Sequence, residues 1–144
     1  MMFDRILIPT DGEPAMNRVY TLAAGLAATH DAAIDLVYVV DDRAFLTLEA
    51  NMRAEVIDEL TAEGEAALAA AAASLDGDAT AVTTAMRQGS PAEEILGCAD
   101  ACGSSLIVMG TRQAAYTQNM LGSVSHEVVV RAAVPVLTVN LVEE

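Results

Sequence analysis

Lysine is absent from all 144 residues, tryptophan is absent as well, and there are only two cysteines, three tyrosines and two phenylalanines. Each absence excludes something. Without lysine there is no Walker-type phosphate loop, because that loop needs a lysine reaching the phosphates. The seven basic residues are arginines, at positions 5, 18, 43, 53, 87, 112 and 131, against 21 acidic ones, giving a formal charge of −14. A field of that sign repels nucleic-acid phosphates and anionic membrane surfaces, so neither is expected as a partner. No run of about 18 apolar residues occurs, and Met1-Met2-Phe3-Asp4-Arg5 leads straight into a strand-like block. Neither a membrane span nor a signal peptide is expected, and the expected location is cytoplasmic. Cys98 and Cys102 lie four apart with no histidine or second pair at metal-ligand spacing, which reads as small buried apolar residues and no metal site.

Hydrophobic residues make up 53% of the chain and the mean hydropathy is +0.38, ample for one buried core, so residues 1–144 are expected to form a single domain. An acidic surface purged of lysine self-repels in dilute buffer and is tamed at molar salt, where the Debye length falls to about 3 Å. The composition predicts the cytoplasm of an extreme halophile, the alternative being an ordinary acidic bacterial protein.

Strand and helix alternate along the chain. Residues 3–9 form a short apolar run closed by Thr10-Asp11-Gly12, and Pro14 sits where a first helical position tolerates it, ahead of Val19, Leu22, Ala23, Leu26 and Ala27 at helical spacing. A second strand over 32–40 is nearly continuous in apolar character, as expected when both faces are covered. Residues 46–75 read as one long helix, with Leu46, Leu48 and Met52 expected to pack into the core, the alternative being a lid or a partner surface. A third strand covers 79–86. Ser90-Pro91-Ala92-Glu93 has capping-box spacing and opens a helix to about 101. A fourth strand spans 105–109, a helix runs from Gly122 to about 133, and a fifth strand covers 134–139. This alternation predicts an α/β fold with a parallel sheet, right-handed crossovers and helices on both faces.

In open parallel sheets ligands bind outside the carboxyl ends of the strands, where the strand order reverses. The strand ends here are Pro9, Thr10, Asp11 and Gly12; Val39 to Asp42; Gly89; and Met109, Gly110, Thr111 and Arg112. Gly122-Ser123-Val124-Ser125 presents free N–H groups, a hydroxyl and the positive end of a helix dipole, a setting for an anion such as phosphate. Plainer roles stand beside these: Gly122 as a turn, Ser123 as an N-cap, and Asp11 as the cap of the helix starting near Pro14. His30 is expected at a helix C-terminus and His126 facing solvent, and neither has a nucleophile partner in an elbow motif, so no catalytic residues are expected.

Five segments in order resemble the universal stress protein family: Ile-Leu-Ile-Pro-Thr-Asp-Gly (6–12), Val-Tyr-Val-Val-Asp (37–41), Gly-Ser-Pro-Ala-Glu-Glu-Ile-Leu (89–96), Leu-Ile-Val-Met-Gly-Thr-Arg (106–112), and Leu-Gly-Ser-Val-Ser-His-Glu-Val-Val (121–129) with Val-Pro-Val-Leu-Thr-Val (134–139). The resemblance implies a doubly wound five-stranded parallel sheet of the Rossmann-like, adenine-nucleotide α-hydrolase-like kind. It also implies a homodimer built through the last strand, Val136, Leu137, Thr138 and Val139. ATP-binding members place an aspartate at the position of Asp11 near the ribose and a residue like Val39 against adenine. Their phosphate loop runs Gly, two residues, Gly, nine residues, Gly-Ser or Gly-Thr. Here Gly110 opens that pattern and Gly122-Ser123 closes it, but Gln113 replaces the second glycine and eight residues separate it from Gly122.

Two functions follow from the resemblance. In one, the protein is a regulatory binder of ATP or AMP, with Gly110, Gly122, Ser123 and Val124 holding phosphates, Arg112 assisting, and Mg²⁺ accompanying ATP; the altered loop favours AMP or ADP over ATP. In the other, nucleotide binding has been lost and the dimer is a stress-response interaction protein. A flavodoxin-like or electron-transfer flavoprotein-like domain shares the architecture, but an aromatic content of 3% leaves little to stack on a flavin. Dialysis out of molar KCl should abolish the near-UV circular dichroism; an unchanged spectrum at low salt would contradict the halophilic reading.

Overall fold

The computed structural model describes residues 2–112 and 122–141. Five strands, β1 (Arg5–Pro9), β2 (Ala33–Val40), β3 (Val82–Gln88), β4 (Leu106–Thr111) and β5 (Val136–Asn140), alternate with four helices, α1 (Asn17–His30), α2 (Ala50–Leu75), α3 (Pro91–Cys102) and α4 (Ser123–Arg131). All the strand pairs are parallel and the order is β3-β2-β1-β4-β5. The chain therefore builds outward from β1 to β3, returns across the sheet, and builds outward again on the other side of β1.

Side-chain alternation explains why the strands read as unbroken apolar runs. Ile6 and Ile8 of β1, Ile34 and Leu36 of β2, and Leu106 and Val108 of β4 pack with Val19, Ala23 and Ala27 of α1 and Leu68, Ala71 and Leu75 of α2. The residues between them, Leu7, Val37, Ile107 and Met109, pack with Ala92, Ile95 and Cys98 of α3 and Val128 of α4. The three central strands, β1, β2 and β4, are thus hydrophobic on both faces.

Asp35 is the exception. It points into the α3 layer, is 3% exposed, and receives the Arg5 guanidinium through two bonds, Nε at 2.8 Å and Nη2 at 3.0 Å. Thr83 Oγ1 donates to the same carboxylate. A carboxylate this buried is tolerable because its oxygens are met by a planar, bidentate donor and a hydroxyl from the two flanking strands. Asp35 in turn raises the Arg5 guanidinium above its ordinary range through the hydrogen bond and the charge.

Several boundaries move for identifiable reasons. The long helix starts at Ala50; residues 43–45 form a 3₁₀ turn before it. Leu46 and Met52 are 59% and 54% exposed, which corrects the expectation of core packing for them, and Leu48 is half-buried. β3 begins at Val82 and reaches Gln88, because its pairing with β2 runs from Ile34↔Val82 to Val40↔Gln88. β4 continues to Thr111 through pairing of Gly110 with Val139 and Thr111 with Asn140, and β5 begins after Pro135, at Val136. Ser90 occupies the N-cap of α3 but makes no side-chain cap bond, so the capping box expected from Ser90 and Glu93 is not formed; the next residue, Glu94, pairs with Arg87 at 3.3 Å. Gly122, not Ser123, is the N-cap of α4, and that helix ends at Arg131. His30 closes α1 with its ring edge-on to Phe3, and His126 is exposed. No helix among the described residues is long and apolar enough to cross a membrane.

Asp35→Ala should cost about 2–3 kcal/mol in denaturant unfolding at molar KCl, below the value for a fully buried pair because the Arg5 side chain is 40% exposed and can rehydrate. A loss under about 0.5 kcal/mol, the range of an ordinary surface change, would contradict a structural role for the Arg5–Asp35–Thr83 cluster.

Candidate functional site

The strand order reverses between β1 and β4, and the ends of those strands diverge there into separate loops. A cleft of about 400 Å³ opens at that point, within the range of small-molecule sites. Its lining includes Pro9, Thr10, Asp11, Val39, Met109, Gly110, Arg112, Gly122, Ser123 and Val124, so the structure brings together the residues expected to bind nucleotide, while Gly12, Val40, Asp41, Asp42 and Gly89, also at strand ends, are not among the lining residues. Gln113 and the altered stretch of the glycine loop lie outside the described residues.

The loop after β1 is held by a short network. Thr10 Oγ1 lies 2.5 Å from the Tyr20 hydroxyl of α1 and accepts the Gly12 N–H at 3.1 Å. Gly12 has φ +77°, and a Cβ there would come within 2.7 Å of the Ala67 Cβ in α2, so a side chain is excluded on both counts. Asp11 Oδ1 accepts the Glu13 N–H at 2.9 Å; Asp11 turns the loop, while Glu13 holds the N-cap of the 3₁₀ turn at Pro14–Met16. Its other oxygen, Oδ2, meets Arg112 Nη2 at 3.2 Å. This half-exposed ion pair ties the end of β1 to the end of β4 across the cleft.

Tyr38, on β2, lies flat against the backbone of α2: a Cβ on Gly64 would sit 2.5 Å from its ring. Burial pushes the Tyr38 hydroxyl above its ordinary range, helped by the negative charge of Glu63, Asp11 and Glu13. Burial also raises Tyr20, against an opposing hydrogen bond from Thr10. Both phenols stay neutral hydrogen-bonding groups at physiological pH.

The other side is organised by Thr111, which is buried at the last position of β4. Its Oγ1 accepts the Gly122 N–H at 3.0 Å and the Ser125 hydroxyl at 2.8 Å, fixing the start of α4 over the end of β4. This changes the expected division of labour. The Gly122 N–H is engaged by Thr111, and Gly110 lies in the β4 ladder beneath Leu141, whose side chain a Cβ at Gly110 would strike. The groups at the start of α4 that face an anion are therefore the N–H groups of Ser123 and Val124, which lie in the first turn and have no intrahelical acceptor, with the Ser123 hydroxyl.

Thr111 and Ser125, named in the sequence at the end of the fourth strand and in the segment 122–125, also line the cleft, as do Tyr38, Met16, Pro91, Ile95 and Leu141, which were not singled out. Met16 and Leu141 arrive only through tertiary packing. Chemically, the cleft has an apolar crevice of Val37, Val39, Ile95 and Met109, one carboxylate, and the positive end of α4. No group of three or more metal-ligating residues occurs among the described residues.

The sequence profile of the universal stress protein family matches residues 2–140. The chain is 35% identical over 141 residues to universal stress protein MJ0531 of Methanocaldococcus jannaschii, covering 96% of this chain and 83% of that protein. The structure of universal stress protein UspA from Lactobacillus plantarum superposes with a TM-score of 0.84 at 26% identity, over 96% of this chain and 99% of that one. The fold is shared as well by the universal stress protein from Archaeoglobus fulgidus solved in complex with dAMP, with a TM-score of 0.72 at 20% identity over 96% and 98% of the two chains. With the doubly wound sheet, the cleft at its switch point and a profile match over nearly its whole length, the chain belongs to the universal stress protein family.

Proposed function

We propose that this protein is a regulatory binder of an adenine nucleotide, taken up in the cleft between the ends of β1 and β4. The observation that carries the reading is the cleft's polarity: an apolar crevice, the Asp11 carboxylate and the first-turn N–H groups of α4 all line one space of about 400 Å³. These are the three surfaces that a purine, a ribose and a phosphate require. A fold of this kind accommodates dAMP in the Archaeoglobus relative, which supports the choice of an adenine mononucleotide.

In this reading Val39 and Met109 pack against the base, Asp11 accepts hydrogen bonds from the ribose hydroxyls, and Ser123 and Val124 donate to the phosphate. Arg112 is paired with Asp11, and swings to the phosphate once the ribose takes over the carboxylate. AMP or ADP suits the site better than ATP, since each added phosphate brings charge into a chain of net −14 without lysine. Mg²⁺ would enter as a partner of the nucleotide phosphates, because among the described residues Asp11 is the one carboxylate lining the cleft. A working environment at molar salt fits the same reading, since screening the background charge favours anion binding. The edge position of β5, together with exposed Leu137 there and exposed Val129 and Val130 on α4, supports a homodimer through Val136, Leu137, Thr138 and Val139.

Calorimetric titration with AMP, ADP and ATP plus Mg²⁺ in molar KCl should give saturable binding and a raised Tm. Asp11→Asn should weaken it about tenfold, the worth of one charge-assisted hydrogen bond. Absence of both heat and a Tm shift at millimolar nucleotide would overturn the proposal in favour of a dimeric interaction protein that no longer binds nucleotide.

A further inference from the structure

Away from the cleft, two thiols share one face of α3. The sulfurs of Cys98 and Cys102 are 3.9 Å apart. Cys98 is 2% exposed in the apolar layer between α3 and the sheet, while Cys102 is partly exposed and is the last residue of the helix. Two of the seven arginines of this acidic chain lie near the pair: Arg87 pairs with Glu94 of α3 at 3.3 Å and reaches Gly97, next to Cys98, and the positive charge of Arg5 acts on Cys102.

We propose that Cys98 and Cys102 are an oxidant-responsive modification site, closing to an intrachain disulfide when Cys102 reacts with a peroxide. Helix geometry permits it. Residues four apart have Cα atoms about 6.2 Å apart, inside the usual 4.4–6.8 Å window for a disulfide. Their Cβ atoms, at about 5–6 Å, must close to about 3.5–4.5 Å, so the last turn has to tighten. In the middle of a helix that movement would be resisted on both sides. Here the helix stops at Cys102, and Gly103 follows with φ +68° as its C-cap, so the strain falls on a terminal turn. A bond closed against such strain is readily reduced, as a reversible site requires.

The chemistry proceeds in two balanced steps. The Cys102 thiolate attacks a peroxide oxygen; the S–O bond forms, the O–O bond breaks, and the leaving oxygen takes up a proton as alcohol or water. The Cys98 sulfur then attacks the Cys102 sulfenic acid, the S–S bond forms, the S–O bond breaks, and hydroxide departs with the Cys98 proton as water. Two thiols together lose two protons and two electrons, and the peroxide gains them. The order follows from the surroundings. Burial pushes the Cys98 thiol up to about 11 despite Arg87, so Cys98 rests protonated and out of reach of solvent oxidants, while its proximity lets it capture the sulfenic acid before a second peroxide arrives.

The reduced protein in molar KCl, treated with hydrogen peroxide and followed by intact mass and free-thiol titration, tests this. Both thiols should disappear together, the mass should fall by two hydrogens, no covalent dimer should form, and dithiothreitol should restore both thiols. In Cys98→Ala, Cys102 should gain oxygen instead; in Cys102→Ala, the Cys98 thiol should react at least about tenfold more slowly than the wild-type pair. Two thiols surviving in the wild type, oxygen gained without loss of hydrogen, or cross-linking to a second chain would each overturn the proposal. Should a variant fail to fold, the wild-type mass and thiol count decide alone.

Discussion

The burial of β1 on every side is the constraint from which the rest of the molecule follows. Ile6, Leu7 and Ile8 are completely inaccessible, which requires a strand on each edge of β1 and a helical layer on each face. A chain that connects parallel strands by right-handed crossovers satisfies this by building one half of the sheet outward from β1 and then returning to build the other. Helices α1 and α2 cover one face and α3 and α4 the other. The loops after β1 and β4 must then leave in opposite directions, and the cleft is the space between them. The cleft is a consequence of how a hydrophobic strand is covered.

Within that space polar groups are few and carefully placed. Thr10 and Thr111 close β1 and β4, and each spends its hydroxyl on the loop or helix that follows: Thr10 on Gly12 and Tyr20, Thr111 on Gly122 and Ser125. These bonds fix the loop that carries Asp11 and the first turn of α4, while Arg112 meets the Asp11 carboxylate. In the proposed site, fixed N–H dipoles would supply attraction for an anion in a chain that has no lysine and whose overall charge repels anions.

Much of this was legible in the sequence. The five strands, four main helices and the face that carries the cleft followed from apolar runs punctuated by Gly, Pro and Asp, because strands covered on both sides advertise themselves in one dimension. What failed to show depended on partners distant in the chain. Asp35 looked like an interruption in an apolar run, since its neutralisation comes from Arg5 and Thr83 on the flanking strands. Gly110 looked like a phosphate-loop glycine, yet the side chain pressed against it is Leu141. Leu46 and Met52 were expected in the core, but the helix starts only at Ala50, after Leu46, and its buried residues begin at Gly64, beyond Met52. The cysteines read as inert filling, because sequence spacing conveys neither the approach of Arg87 nor the contrast in burial between Cys98 and Cys102.

The central claim is that the switch-point cleft is the place where this universal stress protein meets an adenine nucleotide. Backbone amide shifts followed by NMR during addition of AMP in molar KCl test it most directly. The account predicts that the largest saturable changes fall on Asp11, Gly12, Val39, Ser123 and Val124. Shifts confined to other surfaces, or none at millimolar AMP, would contradict it.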